Sequence, residues 1–398
     1  MASTETSEQV VKPDFGSSKR HLIFTQEHED LRESMEAWVK KELAPNAEEW
    51  EETLWPDSVL KRMADLGFVG LCFPEEYGGQ GGDYYYSLVR AEALSHSGSG
   101  GLNMGLAVHT DMVLPPIEML GNEDQKQRYL VPGIKGEKIA SLGITEPGAG
   151  SDVAGIRTTA RKDGDEYVIN GSKIFITNGS LAGLIALVVK TDGGRDSKSL
   201  SILMVETAGL PGFRVGRVLD KLGMHAQDTA ELFFEDVRVP AANLLGGEEG
   251  KGMHQLMADL PYERLLIAVC AVAAIEGALE ETLRYVRERK AFGQSIADFQ
   301  NTRFKLAEVA TTARIARSFI DDCIVRQMRG ELDTSTASMA KWWTSDMQQR
   351  VMDDCLQLFG GYGYMNEYLI CRMFADARVQ RIYGGTNEIM KELIARSL

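Results

Sequence analysis

The feature that most constrains the fold is an uninterrupted apolar run from Leu265 to Ile275, which directly follows Glu263 and Arg264. The run is shorter than the about 18 apolar residues expected of a membrane-spanning helix, so it predicts a helix buried inside a large core. Glu263 then has two interpretations. If Pro261 occupies the first helical position, Glu263 lies in the first turn, where a carboxylate suits the helix dipole. If Glu263 is a functional base, apolar neighbours tune its pKa.

Length and charge limit the classes of protein to which the chain can belong. Its 398 residues exceed one ordinary core and predict about two or three domains. The net charge of −15 argues against nucleic acid or an anionic membrane as a partner. The five cysteines show no CxxC spacing and the six histidines form no pairs at metal-ligand spacing. We therefore expect reduced thiols and no metal site.

The N-terminal residues 1–23 are polar, contain Glu5 and Glu8, and match neither a secretory signal nor an Arg-rich transit peptide. They predict a disordered tail. A bacterial cytoplasmic protein is therefore expected, and a processed chain from the mitochondrial matrix is also consistent with the sequence.

The spacing of apolar residues changes twice along the chain. It indicates an α+β multidomain protein with helices over residues 24–136, an antiparallel β-domain over 137–246 and a C-terminal helical bundle over 247–398. The glycine-rich segment 97–101 is either a flexible connector or a place where another group approaches the backbone closely.

Strands are predicted within the β-domain from runs of β-branched and aromatic residues. Tyr167–Thr177 predicts two strands joined by a hairpin turn at Asn170-Gly171, because Asn-Gly is the strongest short hairpin signal. Leu184–Lys190, Leu200–Val205 and Ala230–Phe234 predict further strands.

Five other segments each have a structural and a functional interpretation. Residues 142–152 could bring backbone N–H groups and hydroxyls to a phosphate or a flavin ring, or simply form a tight loop. Residues 175–179 suit an ordinary strand end. Arg289 could bind a pyrophosphate or serve the C-terminal dipole of a helix. Residues 357–363 suit a helix C-cap, and Thr386 could cap the last helix.

Several of these segments occur together in one known family. The motifs ITEPGAGSDVAGI, NGSKIFITNG, AELFFEDVRVP, ERKAFGQ and LFGGYGY, in this order and with this helix–strand–helix layout, resemble the acyl-CoA dehydrogenases over residues 24–398. Within that family, AQDTAELFFED, ERLLIA and IYGGTNEIMKELIAR are most similar to the long-chain branch.

The resemblance implies a function and an assembly. Such proteins are FAD-dependent and usually homotetrameric, and they oxidise an acyl-CoA to the trans-2-enoyl-CoA. Flavin N5 accepts the hydride, and the electrons pass to electron-transferring flavoprotein. The protein positions the substrate against the cofactor, supplies the base and sets the electrostatic environment.

The resemblance also implies the residues that would bind cofactor and substrate. Thr145 would lie at the flavin ring, and Ser151 would also touch the CoA. The implied FAD contacts are Leu142, Ile144, Thr145, Gly150, Ser151, Phe175, Ile176, Thr177, Arg289, Phe292, Gln300, Gln357, Leu358, Gly360, Gly361, Thr386, Asn387 and Glu388. Those from Arg289 to Gly361 would serve largely the FAD of a neighbouring subunit. The implied substrate contacts are Ser151, His254, Pro261, Tyr262, Arg264, Gly384 and Gly385.

The position of the base separates this chain from most of the family. Most members place a catalytic glutamate directly before the Gly-Thr of the last loop, where this chain has Gly384. The long-chain and isovaleryl branches instead place it in the Glu-Arg-Leu context of the buried helix, which makes Glu263 the expected base. The backbone N–H of Gly384 would then bond the thioester oxygen. Arg264 and His254 each also have a structural interpretation, as an ion pair and as a satisfied polar contact respectively.

The sequence leaves the substrate and the electron acceptor open. Medium or long straight acyl chains are expected, and short branched (isovaleryl-type) chains are the second choice. The sequence is also consistent with an acyl-CoA oxidase-like flavoenzyme or with a catalytically inactive flavin-binding protein of this fold. The retained Glu263 and the net charge of −15 oppose the inactive protein.

Overall fold

A computed structural model describes residues 23–191 and 197–398. Residues 1–22, which comprise nearly all of the predicted tail, and residues 192–196 lie outside the described part of the chain.

The first part of the chain is helical, as predicted. Asp83 and Asn122 cap two of its helices, with side chains that accept from the N–H of Tyr85 and Gln125. The helices are α1 (Gln26–Trp38), α2 (Ala47–Thr53), α3 (Asp57–Asp65), α4 (Tyr84–Ser95), α5 (Gly100–Ala107), α6 (Leu114–Leu120), α7 (Glu123–Gln125) and α8 (Val131–Ile134).

The glycine-rich segment between α4 and α5 is a place of close approach rather than a flexible connector. Ser97 and Ser99 are buried there. A Cβ on Gly100 would lie 2.8 Å from Asp376 Oδ2, and one on Gly101 would lie 3.0 Å from the backbone of Met224. Glycine is therefore needed where α5 meets the β-domain and the C-terminal helices.

The central part forms one twisted sheet. The predicted strands over residues 184–190, 200–205 and 230–234 are confirmed, and the last is longer than predicted. The strands are β1 (Ala140–Gly143), β2 (Thr159–Asp163), β3 (Glu166–Thr177), β4 (Leu184–Lys190), β5 (Leu200–Glu206), β6 (Phe213–Val218) and β7 (Thr229–Pro240).

The sheet is mainly antiparallel, as predicted, but one of its strands, β4, also forms parallel pairs. Its order is β1-β4-β2-β3-β7-β6, with β5 paired to β4. β4 pairs in parallel with β1 along four residues and with β2 at one. The parallel pair with β1 arises because β1 enters from the helical domain, so its connection to β4 is long enough to cross over.

The predicted hairpin at Asn170-Gly171 is wrong. β3 continues through these residues, with β2 hydrogen-bonded on one side and β7 on the other. The pairing with β7 shifts register between Ile169 and Gly171, which marks a β-bulge. Asn170 and Asp236 exchange hydrogen bonds of 3.0 Å across the bulge. The Asn-Gly pair therefore forms a bulge rather than a turn.

The last part is a helical bundle built around the apolar run. That run lies inside α9 (Gly252–Glu288), which packs against α4, α10 and α11. A short hairpin of β8 (Lys290–Ala291) and β9 (Gln294–Ser295) follows α9. The remaining helices are α10 (Gln300–Met328), α11 (Thr334–Phe359), α12 (Leu369–Ala377) and α13 (Asn387–Ala395).

α9 does not begin at Pro261, as the helix-dipole interpretation of Glu263 requires. The helix begins nine residues earlier, at Gly252, because its first turns dock on the β-domain. A Cβ on Gly252 would lie 2.8 Å from the backbone of Leu200, and Gln255 Nε2 donates to Leu245 O at 3.1 Å. Pro261 lies inside the helix, where it removes one N–H donor. Glu263 is therefore not in a first turn, and the helix-dipole interpretation of this residue fails.

In the described parts of the chain, no helix combines the length and the apolar character that crossing a membrane requires. Within the same residues, no cluster of three His, Cys, Asp or Glu side chains suits a metal ion. The five cysteines are free thiols.

Candidate functional site

Glu263 lies next to a second carboxylate on the same face of α9. Asp259 precedes it by four residues, which is one helical turn, and is buried. Burial raises the pKa of Glu263, the charge of Asp259 raises it further, and the charge of Arg264 opposes both. Burial and the charge of Asp111 raise the pKa of Asp259. Glu263 therefore has the environment of a tuned carboxylate, in agreement with its functional interpretation.

The loop before α13 covers this face of α9. Gly384 has φ +63° and Gly385 has φ +89°, in the left-handed region that favours glycine. A Cβ on Gly384 would lie 2.5 Å from Cδ1 of Ile267, one helical turn after Glu263. The loop and the candidate base thus converge, although they are far apart in the sequence.

A buried lysine holds the loop in place. Lys341, on α11, donates from Nζ to Gly385 O at 2.7 Å and to Asn387 Oδ1 at 3.0 Å. The amide of Asn387 also donates to Ser345 and Asp346, each at 3.0 Å. Burial, and then the charge of Arg264, lowers the pKa of Lys341 to about 7. These bonds fix the Gly384-Gly385 backbone relative to the bundle.

The three residues after the glycines differ in role. Thr386 caps α13, as predicted, by accepting the N–H of Ile389 at 3.3 Å. The side chain of Asn387 is buried among the partners of Lys341 and supports the loop. Glu388 is exposed.

Arg264 is buried beside the candidate base with part of its guanidinium unpaired. Its Nε and Nη1 have no hydrogen-bond partner among the described residues. Arg264 and Lys341 are close enough for the charge of one to lower the pKa of the other. The charge of Arg264 partly offsets the two effects that raise the pKa of Glu263.

Tyr262 faces away from the candidate base, toward the N-terminal helices. Its hydroxyl donates to Asp111 Oδ1 at 2.8 Å, and its ring lies 4.8 Å from that of Tyr84. Asp111 also accepts from Arg90 at 2.6 Å in a buried ion pair. Tyr262 is therefore held by contacts with the N-terminal helices, and its substrate contact stays a prediction. Neighbouring Pro261 is partly buried, whereas His254 lies on the exposed face of α9.

The loop after β1 is held against β3 by a buried ion pair. Lys173 Nζ lies 2.8 Å from Glu146 Oε1 and 2.9 Å from Ile144 O. Glu146 also accepts the N–H groups of Arg157 and Thr158, at 2.6 and 2.9 Å. The backbone N–H of Ile174 donates to Thr145 O at 2.9 Å. The structure thus brings together the predicted segments 142–151 and 175–177.

The tip of that loop is open. A Cβ on Gly148 or Gly150 would meet no atom within 4 Å, and Ser151 is exposed. Leu142 and Ile144 are partly buried at its base. The loop therefore offers backbone groups to a ligand that the chain itself does not cover.

Phe175 stands out beside this loop. It has φ +61° and its side chain is 63 % exposed. A left-handed conformation is unfavourable for an aromatic residue, and such strain is concentrated at functional positions. It occurs where the pairing of β3 with β7 shifts register between Lys173 and Ile176. Ile176 is buried, and Thr177 O accepts from Ser141 Oγ at 2.6 Å.

The other expected cofactor contacts form a second surface. Arg289 follows α9, 26 residues beyond Glu263, which is about 39 Å along a helix. Its guanidinium lies 5.3 Å from the ring centroid of Tyr362. Phe292 has φ +53° and is 95 % exposed. Nearby, Gln300, Gln357, Gly360 and Gly361 are exposed and Leu358 is partly buried.

One chain therefore does not bring Arg289 and its neighbours to Glu263. The first surface surrounds Thr145 and Phe175, and the second surrounds Arg289 and Tyr362.

Sequence reasoning missed several residues that shape the site. Asp259 could have been found, because it lies four residues before Glu263 in a helical segment. Lys341, Glu146 and Lys173 had no local signal, because each acts through a partner on a distant element.

Family models match the chain along almost its whole length. The N-terminal domain of acyl-CoA dehydrogenase matches residues 25–137, the middle domain 141–237 and the C-terminal domain 250–398.

Individual relatives give the same result. The chain is 46 % identical to the mitochondrial long-chain specific acyl-CoA dehydrogenase of Sus scrofa over 386 residues, covering 94 % of this chain and 87 % of that protein. It is 39 % identical to the short-chain specific acyl-CoA dehydrogenase of Clostridium acetobutylicum, covering 93 % and 97 %. A solved structure described as an electron transferring flavoprotein of Acidaminococcus fermentans matches with a TM-score of 0.90 at 38 % identity, covering 94 % and 98 %.

Proposed function

Because the chain belongs to the acyl-CoA dehydrogenase family and is thus an enzyme acting on acyl-CoA, we propose that it oxidises a medium- to long-chain acyl-CoA to the trans-2-enoyl-CoA with Glu263 as the base. One observation carries the proposal. Glu263 lies one turn from Ile267, against which the last loop packs, and that loop has Gly384 where most of the family has a glutamate.

The surroundings of Glu263 suit proton abstraction. A raised pKa makes its carboxylate a stronger base than an exposed glutamate, so it takes the α-proton of the thioester more readily. Arg264 partly offsets the effects of burial and of Asp259 on the pKa of Glu263. The fraction of Glu263 that is ionised and able to act as the base therefore grows as the pH rises toward that pKa.

The last loop would stabilise the charge that develops on the substrate. The N–H of Gly384 is the proposed donor to the thioester oxygen, and Lys341 fixes that loop through Gly385 O. A donor fixed in advance costs little reorganisation when negative charge appears. Lys341 is thus a positioning residue.

Two features of the chain fit FAD. Phe175 is an exposed aromatic in a strained conformation beside the open 148–151 loop, and Arg289 presents an exposed guanidinium beside Phe292. Leu142, Ile144, Thr145, Gly150, Ser151 and Phe175–Thr177 would hold the flavin end. Arg289, Phe292, Gln300, Gln357–Gly361 and the 386–388 turn would hold the rest. FAD, when bound, supplies the acceptor for the hydride that leaves the β-carbon.

The assembly and the electron acceptor are part of the same proposal. We propose a homotetramer and electron-transferring flavoprotein as the acceptor because the resemblance to the family implies both. The about 39 Å between Glu263 and Arg289 along α9 supports a cofactor site that a neighbouring chain completes.

A long acyl chain is favoured over a short branched one. A cavity of about 600 Å³ begins beside Asn103, Cys270 and Tyr383 and extends along α9 beyond Ala274. A short branched acyl group would leave most of this space unfilled.

The base assignment is tested by Glu263→Gln under anaerobic conditions. Palmitoyl-CoA is mixed with the flavin-loaded enzyme, and the loss of visible flavin absorbance is followed. We expect the rate to fall by roughly 10²- to 10⁴-fold while the flavin stays bound. Glu331→Gln, at an exposed carboxylate after α10 that does not line the cavity, is the control and should leave the rate unchanged. Equally fast loss of absorbance in Glu263→Gln would refute the assignment.

A further inference from the structure

Lys173 and Glu146 form a buried ion pair at the base of the open loop that follows β1. Lys173 Nζ lies 2.8 Å from Glu146 Oε1, and the two side chains are 0 % and 7 % exposed. A buried ion pair adds little stability compared with apolar side chains of similar volume, because desolvation of the charges offsets their attraction. The pair therefore points to a role in fixing one particular backbone conformation.

Glu146 joins the two ends of this loop. Its backbone N–H donates to Ala149 O at 3.0 Å, and its carbonyl accepts the N–H of Ala149 at 3.1 Å. Its carboxylate accepts the N–H groups of Arg157 and Thr158, at 2.6 and 2.9 Å, where the loop returns to β2. The position of the open tip at residues 148–150 therefore depends on Glu146.

β3 holds the start of the same loop through two consecutive residues. Lys173 Nζ donates to Ile144 O at 2.9 Å, and the N–H of Ile174 donates to Thr145 O at 2.9 Å. The charge of Glu146 favours the charged form of Lys173 and so opposes burial, which lowers the pKa of that lysine to about 8. A hydrogen bond from a charged donor is stronger than one between neutral groups. The pair thus fixes the 144–145 backbone against β3.

Phe175 lies two residues beyond Lys173, and its conformation depends on the same bonds. Its left-handed φ of +61° occurs where the pairing of β3 with β7 shifts register between Lys173 and Ile176, so regular pairing with β7 does not impose it. Lys173 holds the chain before Phe175, and Thr177 O accepts from Ser141 Oγ at 2.6 Å after it. A strained residue persists only where its surroundings determine its conformation.

We propose that the Lys173–Glu146 pair positions the flavin of FAD by setting the separation between the Thr145 backbone and the exposed ring of Phe175. Both members of the pair are buried, whereas the loop tip and Phe175 are open, so the pair acts through these groups. A site that is formed before the ligand arrives needs less ordering on binding, which increases affinity. This inference rests on the proposed FAD-dependent function.

The test measures FAD binding to the flavin-free protein by fluorescence titration, and stability by thermal unfolding. The variants are Lys173→Met, Glu146→Gln and the two combined. Each single change leaves one buried charge without its partner and should lower stability, whereas the double variant removes both charges and should recover it. In the double variant Ile144 O still lacks its donor. We therefore expect its FAD dissociation constant to stay raised by roughly ten-fold or more, as for a lost hydrogen bond from a charged group.

Visible circular dichroism of the bound flavin tests the geometry, because it responds to the surroundings of the ring. With FAD saturating, the signal of the double variant should differ from that of the wild type. Lys138→Met combined with Glu206→Gln is the matched control, since it removes a partly exposed Lys–Glu pair of the same domain. The control should leave both the FAD affinity and the flavin signal unchanged.

The outcomes separate this inference from the proposed function. If stability and FAD affinity both returned to the wild-type values in the double variant, the pair would be merely structural and the inference would be overturned. Wild-type FAD affinity in Lys173→Met, or an unchanged flavin signal in the double variant, would also overturn it. Failure of the wild-type protein to bind FAD would refute the proposed function itself. FAD binding without turnover of acyl-CoA would refute the proposed reaction and leave the inference intact.

Discussion

Gly384 packs against Ile267 so closely that a Cβ would come within 2.5 Å of the isoleucine Cδ1. The contact joins the last loop to α9 one turn from Glu263. It fixes the distance between the candidate base and the backbone N–H proposed to bind the thioester oxygen.

Gly384→Ala should therefore lower kcat/KM and stability together. The positive φ is unfavourable for alanine by about 1 kcal/mol, and the contact with Ile267 displaces the loop. Adding Ile267→Val should recover part of kcat/KM. Steady-state rates and thermal unfolding measure both effects. Gly209→Ala is the control, because Gly209 has φ +65° but open space around it. An equal loss of stability in both glycine variants, with unchanged rates, would show that the contact has no role.

Asp259→Asn should shift the pH dependence of flavin reduction to lower pH. Asp259 raises the pKa of Glu263, so its removal allows Glu263 to ionise at lower pH. In the wild type, the rate should rise with pH as Glu263 loses its proton. Single-turnover rates across pH measure the shift. An unchanged pH profile in Asp259→Asn would show that Asp259 does not influence the ionisation of Glu263.

The same pair makes a prediction for stability. A carboxyl whose pKa is raised by folding holds its proton more tightly in the native state. Its contribution to stability is complete below the unfolded pKa and is lost as pH rises through the folded pKa. Thermal unfolding of the wild type should therefore show decreasing stability over that range, and Asp259→Asn should show a smaller decrease. Glu288→Gln should behave like the wild type.

Lys341→Met should raise KM for acyl-CoA and lower kcat, because the Gly384-Gly385 backbone loses the donor that holds Gly385 O. A hydrogen bond from a charged group stabilises by about 1.5–3 kcal/mol, so a loss of roughly ten-fold or more in kcat/KM is expected. Lys391→Met is the control, since Lys391 is exposed. Loss of stability with unchanged kinetic constants would limit Lys341 to a structural role.

Phe175→Gly should release flavin without destabilising the flavin-free protein. Glycine relieves the left-handed strain, which is about 1–2 kcal/mol. The flavin, however, loses its contact with the aromatic ring of Phe175. The ratio of flavin to protein absorbance after gel filtration measures retention, and calorimetry measures stability. Phe304→Ala, at another exposed phenylalanine, should leave retention unchanged. If Phe175→Gly retained all of its flavin, Phe175 would not contribute to cofactor binding.

The sequence predicted the elements whose signals are local. The buried run, the cap at Thr386 and the strand over 184–190 depend on a few neighbouring residues, and all are confirmed. The hairpin at Asn170-Gly171 failed because pairing on both sides of β3 overrode the turn preference.

Some features of the candidate site were also expected and others were not. The resemblance led us to expect the convergence of segments 142–151 and 175–177. The contributions of Lys341 and of the Lys173–Glu146 pair were not expected, because they depend on contacts between residues distant in the sequence. The helix-dipole interpretation of Glu263 failed because the first turns of α9 precede Pro261 and dock on β5.

The unbroken course of α9 also restricts how this protein can vary in length. Glu263 and Arg289 are joined by one helix without an intervening loop. Inserting or deleting one residue between them would rotate one end by about 100° relative to the other and move it by about 1.5 Å. Such a change would turn either Glu263 away from the last loop or Arg289 away from Tyr362. Related chains that keep both positions should therefore keep their separation of 26 residues, with insertions confined to the loops outside this helix.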